Sequence, residues 1–323
     1  MGNKSVSYAK WGYIFSLPFM LVFLFFSLYP IIYTAMLGFT DLQGARRRTF
    51  EFLANPLENY KLVLTNESFI TSLKNTGLIW FLNFIPQMLL ALLLTSWFTN
   101  QRFKIKGQGM FKVLMYMPNI ITAATIAFLF RNLFGYPKGP INDLFMMLGL
   151  IEKPIYFWMS AGWSRGIIAF IQFWMWYGNT MIVLIAGVMG IDPTIFEAAE
   201  IDGASSVQTF FRITLPSLRT ILLFTLVTSL IGGLQMFDIP LLYNLGGPDQ
   251  KTLTASVWIY NQAFSGRYFY NRASAASMVL FAIIVVLASI VFYILRDKDA
   301  QKINRDRKAF KKYARQLQKE AGK

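Results

Sequence analysis

The 323-residue sequence contains no cysteine and no histidine. These absences exclude disulfide bonds, thiolate nucleophiles, imidazole bases and the commonest zinc ligands. The sequence also has no phosphate-binding motif of the form G-x-x-x-x-G-K-[ST], so the chain does not hydrolyse ATP by the usual route. No region combines paired carboxylates, a set of metal ligands, or a nucleophile with a base. We therefore expect no catalytic residues and no bound metal or cofactor, and a membrane enzyme is disfavoured.

Long apolar runs dominate what is present: 55% of the residues are hydrophobic and only 15% are charged. A helix rises about 1.5 Å per residue, so about 20 apolar residues cross the hydrocarbon core of a bilayer. Six runs are long enough, at residues 11–36, 73–98, 110–134, 164–189, 218–243 and 273–295. The first run is too long for the apolar part of a signal peptide, so we interpret it as a retained helix. The sequence predicts an all-α membrane protein with six transmembrane helices.

The distribution of Lys and Arg indicates the orientation of these spans, because short cytoplasmic loops are enriched in them. Basic residues are concentrated before the first run, between residues 102 and 112, and in the C-terminal segment. Arg46, Arg47 and Arg48 lie in the first outer loop and argue for the opposite orientation. The balance predicts both termini in the cytoplasm. The organisation is a cytoplasmic N-terminus, a six-span domain and a basic cytoplasmic tail, at residues 1–10, 11–295 and 296–323.

The net charge of +15 is therefore attributed to orientation in a bilayer, and no nucleic acid is expected as a partner. In the tail, Ile303, Phe310 and Leu317 repeat every seven residues. Such a repeat fits a helix that lies on anionic membrane lipid or contacts a cytoplasmic protein, and a solvated tail is the alternative.

A charged segment, residues 190–217, separates the fourth and fifth runs. Asp192 followed by Pro193 predicts the start of a helix, and Gly203 predicts its end because glycine adopts the left-handed conformation at low cost. Ser205 with Gln208 three residues later predicts a capping box that opens a second short helix.

Pro216 is expected to end that second helix and to lead into the fifth span. The segment carries exposed apolar side chains at Val207, Phe210 and Phe211, a surface typical of a protein-binding site. A solvated linker is the alternative, and a DNA-binding helix-turn-helix is disfavoured because both ends are tethered in the bilayer.

The residues of this segment resemble the "EAA" loop of the membrane subunits of binding-protein-dependent ABC importers. The match comprises Glu197-Ala198-Ala199, Asp202-Gly203-Ala204, Phe210, Ile213, Leu215 and Pro216. Residues 237–264, "FDIPLLYNLGGPDQKTLTASVWIYNQAF", resemble carbohydrate importers of the maltose-transporter first-permease and glycerol-phosphate-permease type.

The resemblance implies a permease subunit of an ATP-driven importer of mono- or oligosaccharides. It implies four kinds of partner: a second, homologous permease that forms a heterodimer with this chain, two copies of a cytoplasmic ATPase that bind ATP and Mg, an extracytoplasmic sugar-binding protein, and membrane lipid. The loop would dock on the ATPase through Glu197, Ala198, Ala199, Asp202, Gly203, Ala204, Leu215 and Pro216.

Polar groups within the spans are costly unless they face a cavity, a neighbouring helix or a substrate. The candidates for a substrate path are Asn83, Gln87, Gln172, Trp174, Trp176, Tyr177, Asn179, Gln235 and Asp238, with Asn119, Thr122 and Thr125 as weaker ones. Aromatic faces and amide groups together suit sugars. The alternative is that these residues form interfacial belts or hydrogen bonds between helices. Gly232 and Gly233 are expected to permit close helix packing or a bend.

Two other functions remain open at this stage. An ion-coupled secondary transporter would need titratable groups in its spans, and Asp238 is the one carboxylate that the sequence places near the middle of a span. A structural membrane scaffold is the second alternative, and the docking-loop motif counts against it.

Overall fold

The computed structural model describes residues 9–47, 49–100, 105–295 and 310, and this part of the chain is predominantly helical. Its β structure is limited to one isolated bridge between Thr40 and Phe52. The prediction of an all-α membrane protein is confirmed. Positions Ile303 and Leu317 of the tail repeat lie outside the described residues.

The helices follow one another along the chain with short connections. They are α1 Ala9–Phe23, α2 Tyr29–Leu37, α3 Glu58–Leu64, α4 Glu67–Phe98, α5 Gln108–Ile120, α6 Ala123–Leu133, α7 Pro140–Met147, α8 Ala161–Met189, α9 Pro193–Ile201, α10 Ser206–Thr209, α11 Leu215–Ser217, α12 Arg219–Leu234, α13 Asp238–Asn244, α14 Ala255–Phe264 and α15 Tyr270–Leu295. Two π-helical turns, Leu24–Leu28 and Phe210–Thr214, and one 3₁₀ turn, Phe157–Met159, complete the set.

Five helical segments of the described chain are long and apolar enough to cross a membrane, or six if a sharply bent pair counts as one span. The five are Lys10–Leu37, Glu67–Phe98, Ala161–Met189, Arg219–Asn244 and Tyr270–Leu295, and the bent pair is α5 with α6. These segments coincide with the six runs predicted from the sequence.

The third predicted run differs from the expectation of one continuous span, because α5 and α6 meet at 90°. Ile121 and Thr122 between them have extended backbones, and the Thr122 hydroxyl accepts a hydrogen bond from the N–H of Thr125 as the N-cap of α6. A threonine that caps a new helix competes with continuation of the old one, which explains the break.

The chain divides into two compact units. Of the described residues, those up to 74 and those in 253–283 form the first unit, and those in 75–252 and from 284 onward form the second. Most of the predicted functional residues belong to the second unit.

In the first unit, the buried side chain of Asn59 organises the loop that follows α2. Its amide donates to the carbonyl oxygens of Gly38 and Thr40, at 3.0 and 2.8 Å, and accepts from the Asn271 amide at 3.2 Å. The Asn271 N–H also donates to the carbonyl of Leu42. This loop is therefore tied to the start of α15 by buried polar contacts.

The most apolar part of the first span, Lys10–Leu37, is uncovered within the chain, and burial begins only near its C-terminal end at Leu37. None of the residues in its most apolar 18-residue window is buried. A helix that is apolar on all sides requires lipid or another subunit around it.

In the second unit, two groups of buried side chains form the core. The first core cluster lies among α4, α6, α8 and α13, and includes Ile79, Ile126, Ile168 and Ile239. The second core cluster joins α4 and α8 to the residue that precedes α12, and includes Ala91, Leu94, Met181, Leu184 and Leu218. Helix α8 contributes to both clusters, so it connects the two ends of the unit.

The loop after α13 has an unusual backbone that is fixed by side chains. Leu245, Asp249 and Gln250 have φ of 56°, 44° and 60°, values that non-glycine residues rarely adopt. The Arg165 guanidinium donates to the carbonyl of Lys251 at 2.7 Å and to the Asn75 side chain at 2.9 Å. The Asn75 amide donates to the carbonyl of Gln250 at 2.7 Å. These three bonds stabilise the strained loop.

Asn142 in α7 performs a similar function for the segment before α8. Its buried amide donates to the carbonyl oxygens of Gly135 and Ile155, at 2.9 and 3.0 Å, and accepts from the N–H of Ile155 at 2.8 Å. The carbonyl of Gly135 and both the carbonyl and the N–H of Ile155 thus use this one side chain as a hydrogen-bond partner.

We expect Asn142→Leu to lower the free energy of unfolding by about 2–4 kcal/mol, because it leaves buried backbone groups without a partner. The measurement is thermal unfolding of the purified protein in detergent, followed by circular dichroism. Asn132→Leu is the matched control, because Asn132 is exposed and donates only to the Phe128 carbonyl of its own helix. Equal stability losses in the two variants would contradict the role assigned to Asn142.

Candidate functional site

The loop between α8 and α12 begins with a capped helix, as predicted. The Asp192 carboxylate accepts hydrogen bonds from the N–H of Thr194 at 3.0 Å and from its hydroxyl at 2.9 Å, and Pro193 occupies the first turn of α9. Both hydrogen bonds lower the pKa of Asp192 below its usual value, and the bond from the backbone N–H has the larger effect. The charged carboxylate is favoured at the positive end of the helix.

Helix α9 ends in a Schellman motif, which accounts for the spacing between Glu197-Ala198-Ala199 and Asp202-Gly203-Ala204. The N–H of Gly203 bonds to the carbonyl of Glu200 at 3.1 Å, and the N–H of Ala204 bonds to the carbonyl of Ala199 at 2.9 Å. Gly203 has φ of 72°, while no atom lies within 4 Å of a Cβ placed there. The need for glycine is therefore a matter of backbone conformation and not of space.

The second helical segment starts with the predicted capping box. The N–H of Gln208 donates to the Ser205 hydroxyl at 3.3 Å, and the N–H of Ser205 donates to the Gln208 side chain at 2.8 Å. This prediction is confirmed.

The helix ends within one residue of Pro216, as expected. Helical structure continues through Ser217, and the chain turns at Leu218. The preceding π turn, Phe210–Thr214, gives the N–H of Leu215 a partner five residues back, the Phe210 carbonyl. Pro216 then occupies the first turn of α11, where its missing N–H is tolerated.

The loop has a buried side and an exposed side. Ala199 is buried and Ala204 and Leu215 are half-buried, whereas Glu197, Ala198, Asp202, Gly203 and Pro216 are exposed. Three large apolar residues are also strongly exposed, Ile201 at 86%, Val207 at 66% and Phe211 at 60%. Several strongly exposed large apolar side chains within one short segment outside the spans are typical of a protein interface.

A cavity of about 210 Å³ lies among α4, α8 and α12 in the second unit. Five of the predicted substrate-path residues line it: Asn83, Gln87, Gln172, Trp176 and Asn179. The lining also includes Trp80, Thr180, Thr228 and Ser229, which were not among the residues predicted from the sequence. Among the described residues that line the cavity, none carries a charge.

Hydrogen bonds between helices fix part of this wall. The Gln87 amide donates to the Thr180 hydroxyl at 2.7 Å, and the Trp80 indole N–H donates to the Ser229 hydroxyl at 3.3 Å. The Asn83 amide donates to the Ile79 carbonyl at 2.9 Å within α4. The cavity is thus apolar in its walls and carries oriented neutral polar groups, the composition of a small-molecule site.

The remaining candidates lie elsewhere. Tyr177 packs against the second core cluster and Trp174 against the first. Gln235 and Asp238 are exposed at the interruption between α12 and α13, where Asp238 occupies the first helical turn. None of these four belongs to the cavity lining.

The weaker candidates in the third run have local roles. Thr122 and Thr125 share a hydroxyl hydrogen bond of 2.8 Å at the start of α6, and the Asn119 amide donates to the Met175 carbonyl at 3.3 Å.

Helical periodicity explains why some of the predicted substrate-path residues line the cavity and others do not. Residues 172, 176, 179, 180 and 183 of α8 share one face at spacings of three and four, and Tyr177 falls off that face. The same rule groups Trp80 with Asn83 and Gln87 on α4. This spacing was the signal that could have identified Trp80 from the sequence.

Comparison with known proteins defines the family. Residues 66–305 match the model of the binding-protein-dependent transport system inner membrane component. The chain belongs to this family, and it is therefore a multi-pass membrane permease subunit of an ABC transporter and not an enzyme. The resemblance found in the sequence is confirmed.

Individual relatives are sugar permeases. The chain is 32% identical over 292 residues to the lactose transport system permease protein LacF of Rhizobium radiobacter, covering 89% of this chain and 94% of that protein. It is 29% identical to the arabinooligosaccharides transport system permease protein AraP of Bacillus subtilis over 90% of both chains. A crystal structure of a bacterial ABC transporter that imports the acidic polysaccharide alginate matches with a TM-score of 0.73 at 25% identity, covering 88% of this chain and 94% of that chain.

The placement of α8 residues can be checked directly because the chain has no native cysteine. We expect Asn179→Cys to react with a small charged methanethiosulfonate reagent at least about tenfold faster than Tyr177→Cys, since the thiolate must reach water to react. The two positions are two residues apart on one helix and serve as each other's control. Equal labelling rates would contradict the assignment of Asn179 to the cavity and Tyr177 to the packed face.

Proposed function

We propose that this subunit forms half of the translocation path of an ATP-driven importer of neutral mono- or oligosaccharides. One observation carries the proposal: α8 lines the cavity through Asn179 and ends at Met189, directly before the exposed loop 190–217. Asn179 and Met189 are ten positions apart on α8, which corresponds to about 15 Å of continuous helix. A movement of the loop is therefore transmitted along α8 to the cavity wall.

Helix α12 strengthens this connection. It follows the loop on its other side and lines the cavity through Thr228, Ser229, Gly232 and Gly233. Both ends of the loop thus continue into cavity-lining helices. A partner that pulls on the loop would alter the spacing of α8 and α12 and shift the balance between two states of the path.

The partners follow from the family and from the exposed surfaces. A separate ATPase, present in two copies and binding ATP with Mg, would dock on loop 190–217 around Glu197 and Gly203. A second homologous permease would complete the path as a heterodimer, and an extracytoplasmic sugar-binding protein would deliver the substrate. The uncovered first span, Lys10–Leu37, has the surface expected of a helix surrounded by lipid or by another subunit.

The location proposed for the subunit is the cytoplasmic membrane, with both termini in the cytoplasm. The family is described as an inner membrane component, and the basic residues of the sequence favour this orientation. In this orientation loop 190–217 faces the ATPase.

The substrate class is supported by the chemistry of the cavity. Indole faces, amides and hydroxyls suit the C–H surfaces and hydroxyl groups of a sugar, and the lining contributed by the described residues is uncharged. An ion-coupled transporter would place a titratable group there, and Asp238 is not among the lining residues. Relatives named for lactose and arabinooligosaccharides fit a neutral substrate.

The test uses Gly203 in the complete transporter, purified with its partner subunits and reconstituted in proteoliposomes. Gly203→Val forces a branched side chain into the left-handed region, at a cost of about 1–2 kcal/mol or more. We expect uptake of lactose or arabinobiose per ATP hydrolysed to fall about tenfold. Gly203→Asn is the matched variant, because asparagine tolerates this conformation, and it is expected to keep most of the uptake.

Normal coupling in Gly203→Val would count against the docking role. Absence of ATP-dependent uptake for every neutral sugar in a panel of mono-, di- and trisaccharides, with the wild-type complex intact, would contradict the proposed substrate class.

A cross-linking experiment tests the ATPase partner separately. Val207→Cys places a thiol on the exposed side of the loop without disturbing the capping box, and Glu152→Cys, between α7 and α8, is the control at the opposite end of α8. We expect a disulfide to a cysteine-bearing ATPase only at Val207. A well-inserted Val207→Cys protein that forms none would contradict docking at this loop.

A further inference from the structure

One side of the cavity is built by an unusually close contact between α4 and α12. An ideal Cβ placed on Gly233 would overlap Cδ1 of Trp80 and lie 2.7 Å from its Cγ and Nε1. The edge of the indole thus occupies the volume that any other residue at position 233 would fill. Gly232, the preceding residue, has no atom within 4 Å of its ideal Cβ.

The indole of Trp80 is held in this position from two further directions. Its N–H donates to the hydroxyl of Ser229, one helical turn before Gly233. Its ring stacks on Phe84, with centroids 5.3 Å apart and planes at 21°. A ring that is fixed at its edge, at its N–H and by a stacked neighbour has little freedom to move.

The contact therefore determines where the cavity wall lies. Trp80, Ser229 and Gly233 all line the cavity. Carbon atoms approach to about 3.5–4.0 Å, so a methyl group at position 233 would displace the indole by about 1.5 Å or more. A wall displacement of this size is comparable to the difference between substrates that differ by one small group.

We propose that Gly233 is a specificity-determining position that acts through Trp80: it seats the indole in the cavity wall and thereby sets the fit for the saccharide. This inference rests on the proposed function, since it concerns the same cavity. Gly233 acts as a positioning residue, and Trp80 provides the aromatic face that contacts the sugar. The negative face of an indole attracts the polarised C–H groups of a sugar ring.

The experiment measures KM and Vmax for uptake of lactose and raffinose by the complete transporter in proteoliposomes. We expect Gly233→Ala to raise KM about tenfold, the effect of one methyl-sized misfit in a pocket, with Vmax changed less than about twofold. Gly77→Ala is the matched control, since it makes the same change on α4, one turn before Trp80, at a site with no atom within 4 Å of the ideal Cβ. It is expected to leave both constants unchanged.

A double-mutant cycle separates a positioning role from a structural one. Trp80→Leu alone should raise KM, and because Gly233 acts through the indole, Gly233→Ala should have no further effect in the Trp80→Leu background. Additive effects of the two substitutions would overturn the proposal. Trp80→Leu requires no extra room at position 233, so an unchanged KM in this variant overturns the proposal even if Gly233→Ala fails to assemble.

Two cavity variants distinguish failure of this inference from failure of the proposed function. If Asn83→Ala and Gln172→Ala raise KM while Gly233→Ala does not, the cavity binds sugar but Gly233 does not set its specificity. If none of these variants changes KM, the cavity is not on the sugar path, and both the inference and the proposed role of the cavity fail.

Discussion

Burial of α8 is the constraint on which the second unit depends. Half of its most apolar 18-residue window is buried, whereas the share is 28% or less in the other candidate spans. Lipid tails are as apolar as leucine, so the hydrophobic effect does not hold such a helix against its neighbours, and close packing has to do so. The position of α8 is therefore set by the shape of the side chains around it. A helix held in this way transmits displacement along its length, which is the property that a link between loop 190–217 and the cavity requires.

The cavity follows from the same constraint. Amide groups within the bilayer must face a partner or a polar cavity, and α4 and α8 place theirs together on facing sides. Each amide has two donors and one acceptor oxygen, and the bonds of Gln87 and Asn83 use a single donor of each. The remaining donor and the acceptor oxygen of each amide keep a fixed direction, because the hydrogen bonds between helices hold the cavity wall in place. Such a site recognises hydroxyl groups without the desolvation cost of a charge.

Local chemistry accounts for what the sequence predicted well. The spans follow from hydrophobic length, and loop 190–217 follows from caps and one glycine, signals that act within four or five residues. The one departure of local structure from the prediction arose where a signal pointed two ways, because Thr122 caps a new helix in the middle of an apolar run. The cavity was harder to predict, because membership depends on which face of each helix meets the others. Tyr177, Gln235 and Asp238 have suitable chemistry but lie on other faces or at an interruption, and Trp80 is brought to the wall by Gly233, a contact 153 positions away in sequence.

The right-angled junction of α5 and α6 has a consequence for biogenesis. Their 13 and 11 residues correspond to about 20 and 17 Å of helix, and neither length crosses a hydrocarbon core of about 30 Å. The extended peptides at Ile121 and Thr122 cannot be exposed to lipid at low cost, because their hydrogen-bonding groups lack the intrahelical partners that a continuous span supplies. Helix α5 packs against α8, and α6 packs against α13, and both partners are synthesised later. The third span is therefore committed to its final position only after α13, which ends at Asn244, has left the ribosome.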